Sequence, residues 1–353
     1  MKSELIFCAA CAVALWAMPY LWAICQSDNL AKKGEIMKYT DLNKFRASLA
    51  KGKIPGVVLW QGASAIDGAA IVYVATAFAG SDNGKTGAMV QTFILPDPHA
   101  AGIVVNGARP GKIMAWLAAT GARSICGDCP HAWQYNEKSG EFEKGACYVR
   151  EYQAPAAVLG AIARASYPVA GVDFPAAWID SLGAGLDIRL GAYGDPAACP
   201  PEISAAFVSL AKSRTGYTHL WKSAYAAARR NAWRMRDIVM ASCDSAADLH
   251  AARDGGFRGF LVTSASMPLA GRSVLSVGAH VDGAMLCPAS DEFESQYGRK
   301  TECSKCGACS GAGGKGQRMP DVFIPAHGAT KGRIASDACP AASRMLSNMG
   351  ALA

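Results

Sequence analysis

Seven cysteines of this chain fall into two groups with ligand-like spacing. Cys303, Cys306 and Cys309 stand at every third position in "TECSKCGACSG", and Cys287 precedes them, giving C-x15-C-x2-C-x2-C. Four thiolates complete a tetrahedral zinc site or hold a cubane iron–sulfur cluster. Zinc sites commonly use two C-x2-C pairs. A triple C-x2-C-x2-C with a remote fourth cysteine before Pro288 fits a 4Fe-4S run better. Cys126 and Cys129 in "ICGDCPH", with Cys147 in "GACYV", form the second group, C-x2-C-x17-C. Three thiols leave one position open. An open iron there could take a substrate or S-adenosylmethionine; alternatively His131 closes a Cys3His zinc site.

The bulk composition narrows the setting. The chain has 353 residues, half of them apolar, which suffices for a large core and excludes a disordered chain. Thirteen cysteines are too many for incidental packing. In an oxidising compartment they would suggest disulfides; in a reducing cytoplasm close-spaced thiols more often hold metal. The formal charge of +7 fits a nucleic-acid or phosphate partner and equally an ordinary soluble protein. Residues 5–25 form an uncharged apolar run of membrane-spanning length, with Lys32, Lys33, Lys38, Lys44 and Arg46 behind it. The run reads as an anchor with the body in the cytoplasm, as a signal peptide, or as an extension ahead of a true start at Met37.

The pattern along the chain supplies the elements that must position these thiols. A helix is expected within residues 38–55, then the strand runs "VVLW", "AAIVYVATAFAG" and "MVQTFIL", separated by "AIDG" and "GSDNG" turns. These make a small antiparallel unit. "GSDNGKTG" approaches a phosphate loop, but its glycine spacing is short by one and a strand follows, so it reads as a hairpin turn. Beyond residue 150 strands recur every 20 to 30 residues with helices between them, the pattern of βα units and a parallel sheet. The loops at the strand ends carry Tyr193, Asp195, His219, Cys243 and Asp244. In a barrel-like α/β fold that rim is where substrates sit. The bland reading makes Asp195 and Asp244 helix caps and Cys243 a packed thiol.

The expected fold is therefore α/β, a βα-repeat forming a partial or full TIM-like barrel, with a small N-terminal β unit and cysteine-rich metal-binding loops. The expected segments are 1–36 apolar, 37–125 α+β, 126–150 the first cysteine cluster, 151–286 the βα core, 287–330 the four-cysteine loop and 331–353 a tail. The loop from Cys287 has little apolar content, so a cross-link is needed to hold it. "GYTHLW" places Tyr217, His219 and Trp221 at alternate positions, as one strand face would. Arg229, Arg230, Arg234 and Arg236 in "YAAARRNAWRMR" make a basic helix face.

The run "IDG…NGKTGAMVQTFIL…ICGDCPH…CYV…QAP", with "RLGAYGDPA", "GYTHLW", "CPAS" and the closing C-x2-C-x2-C, is similar to a family of uncharacterised proteins encoded by phages and prophages. The likeness covers about residues 57–330 and implies that the first 36 residues lie outside the common domain. A weaker likeness is to radical S-adenosylmethionine enzymes, which combine a βα barrel, a three-cysteine cluster with an open iron and, in some members, an auxiliary cluster. On that resemblance Cys126, Cys129 and Cys147 hold the active cluster and Cys287, Cys303, Cys306 and Cys309 the auxiliary one. Tyr193, Asp195, His219 and Asp244 line the substrate mouth. The usual C-x3-C-x2-C is replaced here by a wider spacing. A phage origin makes a nucleotide or nucleic acid the expected substrate. The competing expectation is a zinc-stabilised nucleic-acid-binding protein without catalysis.

Overall fold

The computed structural model describes residues 37–103, 110–263, 268–269, 272–273, 280–281, 283–313, 319–326 and 334. Residues 5–25 lie outside them, as does His327. Among the described residues no helix is long and apolar enough to cross a membrane.

The first element of the described residues is helix α1 (Leu42–Ala50), capped by the Asp41 carboxylate, which accepts from the Lys44 amide at 3.0 Å. An antiparallel set follows: β1 (Gly56–Ala63), β2 (Ala70–Thr76) and β3 (Val90–Pro96). Every residue of β3 is buried, as befits a strand covered on both faces. Helices α2 (Pro110–Thr120) and α3 (Arg123–Cys126) come next, then a short hairpin of β4 (Gln134–Asn136) and β5 (Glu141–Glu143). Helices α4 (Ala154–Ala163) and α5 (Ile179–Gly183) lead into the repeating part.

That part alternates β6 (Asp187–Tyr193), α6 (Pro201–Val208), β7 (Ser213–Thr218), α7 (Ala226–Arg234), β8 (Met240–Cys243), α8 (Ala246–Asp254) and β9 (Gly259–Thr263). Small strands β10 (Pro268–Leu269), β11 (Arg272–Ser273), β12 (His280–Val281) and β13 (Ala284–Leu286) follow. Helices α9 (Asp291–Tyr297) and α10 (Cys303–Cys306) and strand β14 (Val322–Pro325) complete the described elements.

Ten strands form one sheet in the order β1-β2-β3-β6-β7-β8-β9-β14-β13-β12. The pairs from β3 through β6, β7, β8, β9 and β14 to β13 are all parallel. The fold is thus α/β with a large, mostly parallel sheet. The antiparallel strands are not a separate layer, because β3 belongs to both parts. Among the described residues the edges β1 and β12 are not paired with one another, so the sheet shows no barrel closure there.

Alternation along the parallel strands sorts side chains to two faces. Ala241, Leu261 and Phe323 join the main core with Phe207, Leu249 and Ala232 from the helices. Met240, Val322 and Ile324 face the other way and pack with Tyr217, Phe260 and the four-cysteine segment. The thiol-rich loop therefore covers the face that the connecting helices leave open. Burial of each large side chain such as Phe207 or Phe323 contributes about 1.5–3 kcal/mol.

Candidate functional site

Cys126 closes α3, and the turn after it returns the Cys129 amide to the Cys126 carbonyl at 3.2 Å. Cys147 arrives from the far side of the β4–β5 hairpin. Its amide donates to the His131 carbonyl at 2.7 Å. The seventeen-residue gap is thus a hairpin whose two ends meet, and three thiols distant in sequence share one place. Gly145 permits the closure: a Cβ there would stand 2.0 Å from the Ala132 carbonyl oxygen and 2.7 Å from that of His131. Buried Glu151 ties the loop, accepting from Lys144 Nζ at 2.5 Å and from Trp133 Nε1 at 3.2 Å.

The second group is built at the sheet's other end. Cys287 leaves β13 with its amide on the Phe323 carbonyl at 2.9 Å. Ser290 caps α9, and α10 then presents Cys303 and Cys306 before Gly307 turns the chain in left-handed conformation to Cys309. The Cys309 carbonyl accepts from the Gly216 amide at 3.3 Å. Burial first, then the neighbouring Cys303 and Cys306, raise the Cys287 thiol to about 11 against the Ala289 amide and Lys85, which act to lower it. Cys303 and Cys309 are shifted upward for the same reasons, burial first.

Metal is not the only available cross-link for this loop. Arg258 is a clamp that the sequence pattern does not reveal. Its Nη1 donates to the carbonyls of Ala308 at 2.7 Å and Gly311 at 3.1 Å, and its Nη2 to that of Pro320. Arg214 Nε adds a bond to the Ser310 carbonyl at 3.1 Å. The "GSDNGKTG" segment is a turn, as expected: Asn83 Oδ1 accepts from the amides of Lys85 and Thr86 at 3.1 and 3.2 Å. The turn also docks on the cysteine loop, where the Cys303 and Ser304 amides donate to the Lys85 and Thr86 carbonyls.

Both groups open on one cavity of about 410 Å³ over the sheet face that carries Arg189, Tyr193, Tyr217, Phe260, Val262 and Ile324. Cys126, Cys129 and Cys147 line one part of it, and Cys287, Cys303, Cys306 and Cys309 another. That volume suits a small molecule rather than a polymer.

At the carboxyl ends of the strands the four rim residues part company. Asp195 is saturated. Its carboxylate accepts from Thr218 Oγ1 at 3.0 Å and from the amides of Ala197 (3.0 Å), His219 (2.8 Å) and Leu220 (3.3 Å). It is a cap and a staple between β6 and β7, the bland alternative for this residue. Asp244 is not a cap; Ser245 caps α8 instead, accepting from the Asp248 amide. Asp244 Oδ1 accepts from His131 Nε2 at 2.6 Å and His219 Nε2 at 3.3 Å, and Oδ2 from Lys222 Nζ at 2.9 Å. Burial alone would raise the Asp244 carboxyl, but His219, His131 and Lys222 hold it well below the usual carboxylate range. Burial likewise acts to lower His219, and the Cys129 thiol and Asp244 outweigh it, lifting the imidazole well above its ordinary value.

His219 Nδ1 lies 3.4 Å from Cys129 Sγ. His219, rather than His131, is the imidazole that touches the thiol group. His131 turns its Nε2 to Asp244. Among the described residues, His131, His219 and Asp244 are the set whose ligand atoms lie within 4.8 Å of one another. Tyr193 lines the cavity.

"GYTHLW" is not one face. Tyr217 lies on β7 and faces the cavity, His219 follows the strand end, and Trp221 lies in a turn against Phe257, donating Nε1 to the Ser242 carbonyl at 2.8 Å. The strand ends at Thr218, so period-two alternation stops before Trp221. Cys243 is packed in the helix-side core, and all nine described cysteines are free. On the basic helix, Arg234 pairs with Glu202, Arg229 bonds the Ser223 carbonyl at 2.7 Å and Arg230 is exposed; Arg236 is exposed in the turn beyond the helix end.

No family model, curated protein or solved structure matches this chain.

Proposed function

We propose that this chain is an iron–sulfur enzyme of radical S-adenosylmethionine type, acting on a nucleotide-sized substrate, with a partial βα barrel as its frame. One observation carries the reading. Cys126, Cys129 and Cys147 gather at one cavity with four further thiols, over six parallel strands whose spatial order β3-β6-β7-β8-β9-β14 follows the chain. Strands that step one way in chain order make the wall of a barrel rather than a doubly wound sheet.

The donor sets fit clusters. Burial pushes the Cys126 thiol well up and Cys147 up to about 12, and a cationic group bound there would stabilise them as thiolates. A tetrahedral zinc with bonds of about 2.3 Å draws its sulfurs to within about 4 Å of each other. Neither thiol group is that tight: among the described residues no three cysteine sulfurs fall within 4.8 Å of one another. Wider spacing would suit a cubane, in which each thiolate would hold an iron of its own. When bound, a cluster with an open iron supplies an electron and a docking point for the amino-acid end of S-adenosylmethionine. The chain's own residues position and shield it. Lys144 and Glu151 brace the loop, and His219 sets its imidazole against Cys129 from its anchor on Asp244.

The resemblance to phage-encoded proteins makes nucleotide chemistry the natural setting, and the cavity's size favours a free nucleotide over a strand. Metal and sulfide analysis of protein purified without oxygen tests the reading. About eight iron with matching sulfide and a brown colour support it, and S-adenosylmethionine cleavage should then follow.

One observation favours a second reading. With Nδ1 at 3.4 Å from Cys129, His219 is placed to complete a Cys3His zinc site. A colourless protein with about two zinc and no sulfide would make the chain a zinc-stabilised protein, with exposed Arg230 and Arg236 free to meet nucleic acid.

A further inference from the structure

The cavity contains a buried cation whose neighbours do not neutralise it. Arg189 rises from β6 and is 8% exposed. One Nη donates to Tyr148 Oη at 2.6 Å and the other to Gln91 Oε1 at 3.4 Å. A guanidinium carries five N–H donors, so most remain for a ligand. Among the described residues the groups that act most on its charge are Tyr148, Tyr217 and the Cys303 thiol, none of them a carboxylate. Burying an unpaired charge is costly, and a cavity-lining arginine of this kind is the standard receptor for a carboxylate or phosphate.

A second, independent observation lies four residues along the same strand. The Tyr193 hydroxyl is buried, lines the cavity and has no hydrogen-bond partner among the described residues. Arg189 and Tyr193 both line the cavity, on either side of a bulge in β6 where Arg189 pairs with Gln91 and Tyr193 with Phe93. Gly191 lies between them and puts no side chain on the floor. Tyr217 and Phe260, with ring centroids 4.5 Å apart, form an apolar wall beside this line.

We propose that the cavity takes an elongated small organic anion of mononucleotide size, its phosphate or carboxylate on Arg189 and its far end hydrogen-bonded to the Tyr193 hydroxyl. This deepens the function proposed above, on which it rests in taking the cavity as the substrate's. The anion satisfies the arginine, the far-end polar group satisfies the tyrosine, and a flat ring between them covers Tyr217 and Phe260. The ligand then lies between the two thiol groups.

Equilibrium dialysis of the anaerobically purified full chain tests this with two matched pairs, uridine 5′-monophosphate against uridine and orotate against uracil. At least one anion should bind tenfold or more tightly than its neutral partner, and the pair that shows the preference tells phosphate from carboxylate. Arg189→Gln should abolish the preference, and Arg189→Lys should keep part of it. Tyr193→Phe should weaken the anion several-fold and leave the preference intact. Equal binding within both pairs, no binding of either anion, or a preference that survives Arg189→Gln overturns the proposal. The wild-type comparison decides even if a variant fails to fold. Metal content is measured on the same samples. Iron lost from Arg189→Gln, with no charge preference in the wild type, would make Arg189 a counter-charge for the four-thiol group instead. A zinc-only protein that shows the preference would end the radical reading and leave this one standing.

Discussion

The amide of Cys147 meets the carbonyl of His131 at 2.7 Å, and this single bond closes the hairpin that makes three thiols neighbours. Gly145→Ala should therefore act as a cysteine variant does. Its Cβ would collide with the Ala132 carbonyl, a backbone atom that cannot swing aside. We expect iron at the three-thiol group to fall as far as in Cys147→Ala, with the four-thiol group still loaded. Iron counts near half the wild-type value in both variants would establish it; full loading of Gly145→Ala would refute the closure argument.

Asp195 and Asp244 should part when each is changed to alanine. Asp195→Ala strands three donors, Thr218 Oγ1 and the Ala197 and His219 amides, which costs about 3 kcal/mol or more, while the Leu220 amide keeps Thr218 Oγ1. Urea unfolding of the metal-loaded protein should show that loss. Asp244→Ala frees His131, His219 and Lys222 at a rim open to water, so the expected change is in turnover, by tenfold or more, with a smaller loss of stability. Equal destabilisation by the two would contradict the division of roles.

Arg258 should matter to metal binding although it touches no thiol. Arg258→Lys keeps the charge but loses the fork that spans three carbonyls. The four-thiol group should lose its metal more readily to a chelator, and limited proteolysis should cut between residues 287 and 313. A protease pattern identical to wild type would show that thiolate–metal bonds alone hold the loop.

Thiol reactivity offers a pH test on protein stripped of metal. Burial disfavours the thiolate, so Cys147 and Cys287 ionise only near 12 and near 11. At pH 8 the folded, metal-free protein should react with iodoacetamide at these two positions far more slowly than the unfolded chain, and the rate should climb with pH well past the ordinary thiol value of about 8.5. Mass mapping of the labelled cysteines reads this directly. Rapid labelling at pH 8 would mean that stripping the metal opens both loops.

Chelation should affect the two ends of the cavity unequally. The three-thiol loop keeps its hairpin and the Lys144–Glu151 brace without metal. The segment from Cys287 has fewer buried apolar side chains of its own, so it should lose protection first in hydrogen exchange. Simultaneous loss at both ends would count against that order.

The parallel sheet was legible in the chain because strands and helices differ in apolar period, and that period is local. Thiol spacing at Cys303, Cys306 and Cys309 was legible for the same reason, since residues three apart in sequence are neighbours in space. The sequence also sufficed to read "GSDNGKTG" as a turn. Other features depended on contacts between residues far apart. That Cys147 joins Cys126 and Cys129 rests on a hairpin closing. That His219 rather than His131 reaches a thiol rests on where β7 ends. Arg189 looked like any strand residue, and only the face on which β6 packs made it a buried cation in a cavity. Asp195 and Asp244 were equivalent as letters at strand ends; the donors that reach each carboxylate made one a staple and the other the centre of a charged rim. Hydrogen bonds and burial are properties of the folded neighbourhood, so tertiary structure alone decided which of these groups are satisfied and which remain available for chemistry.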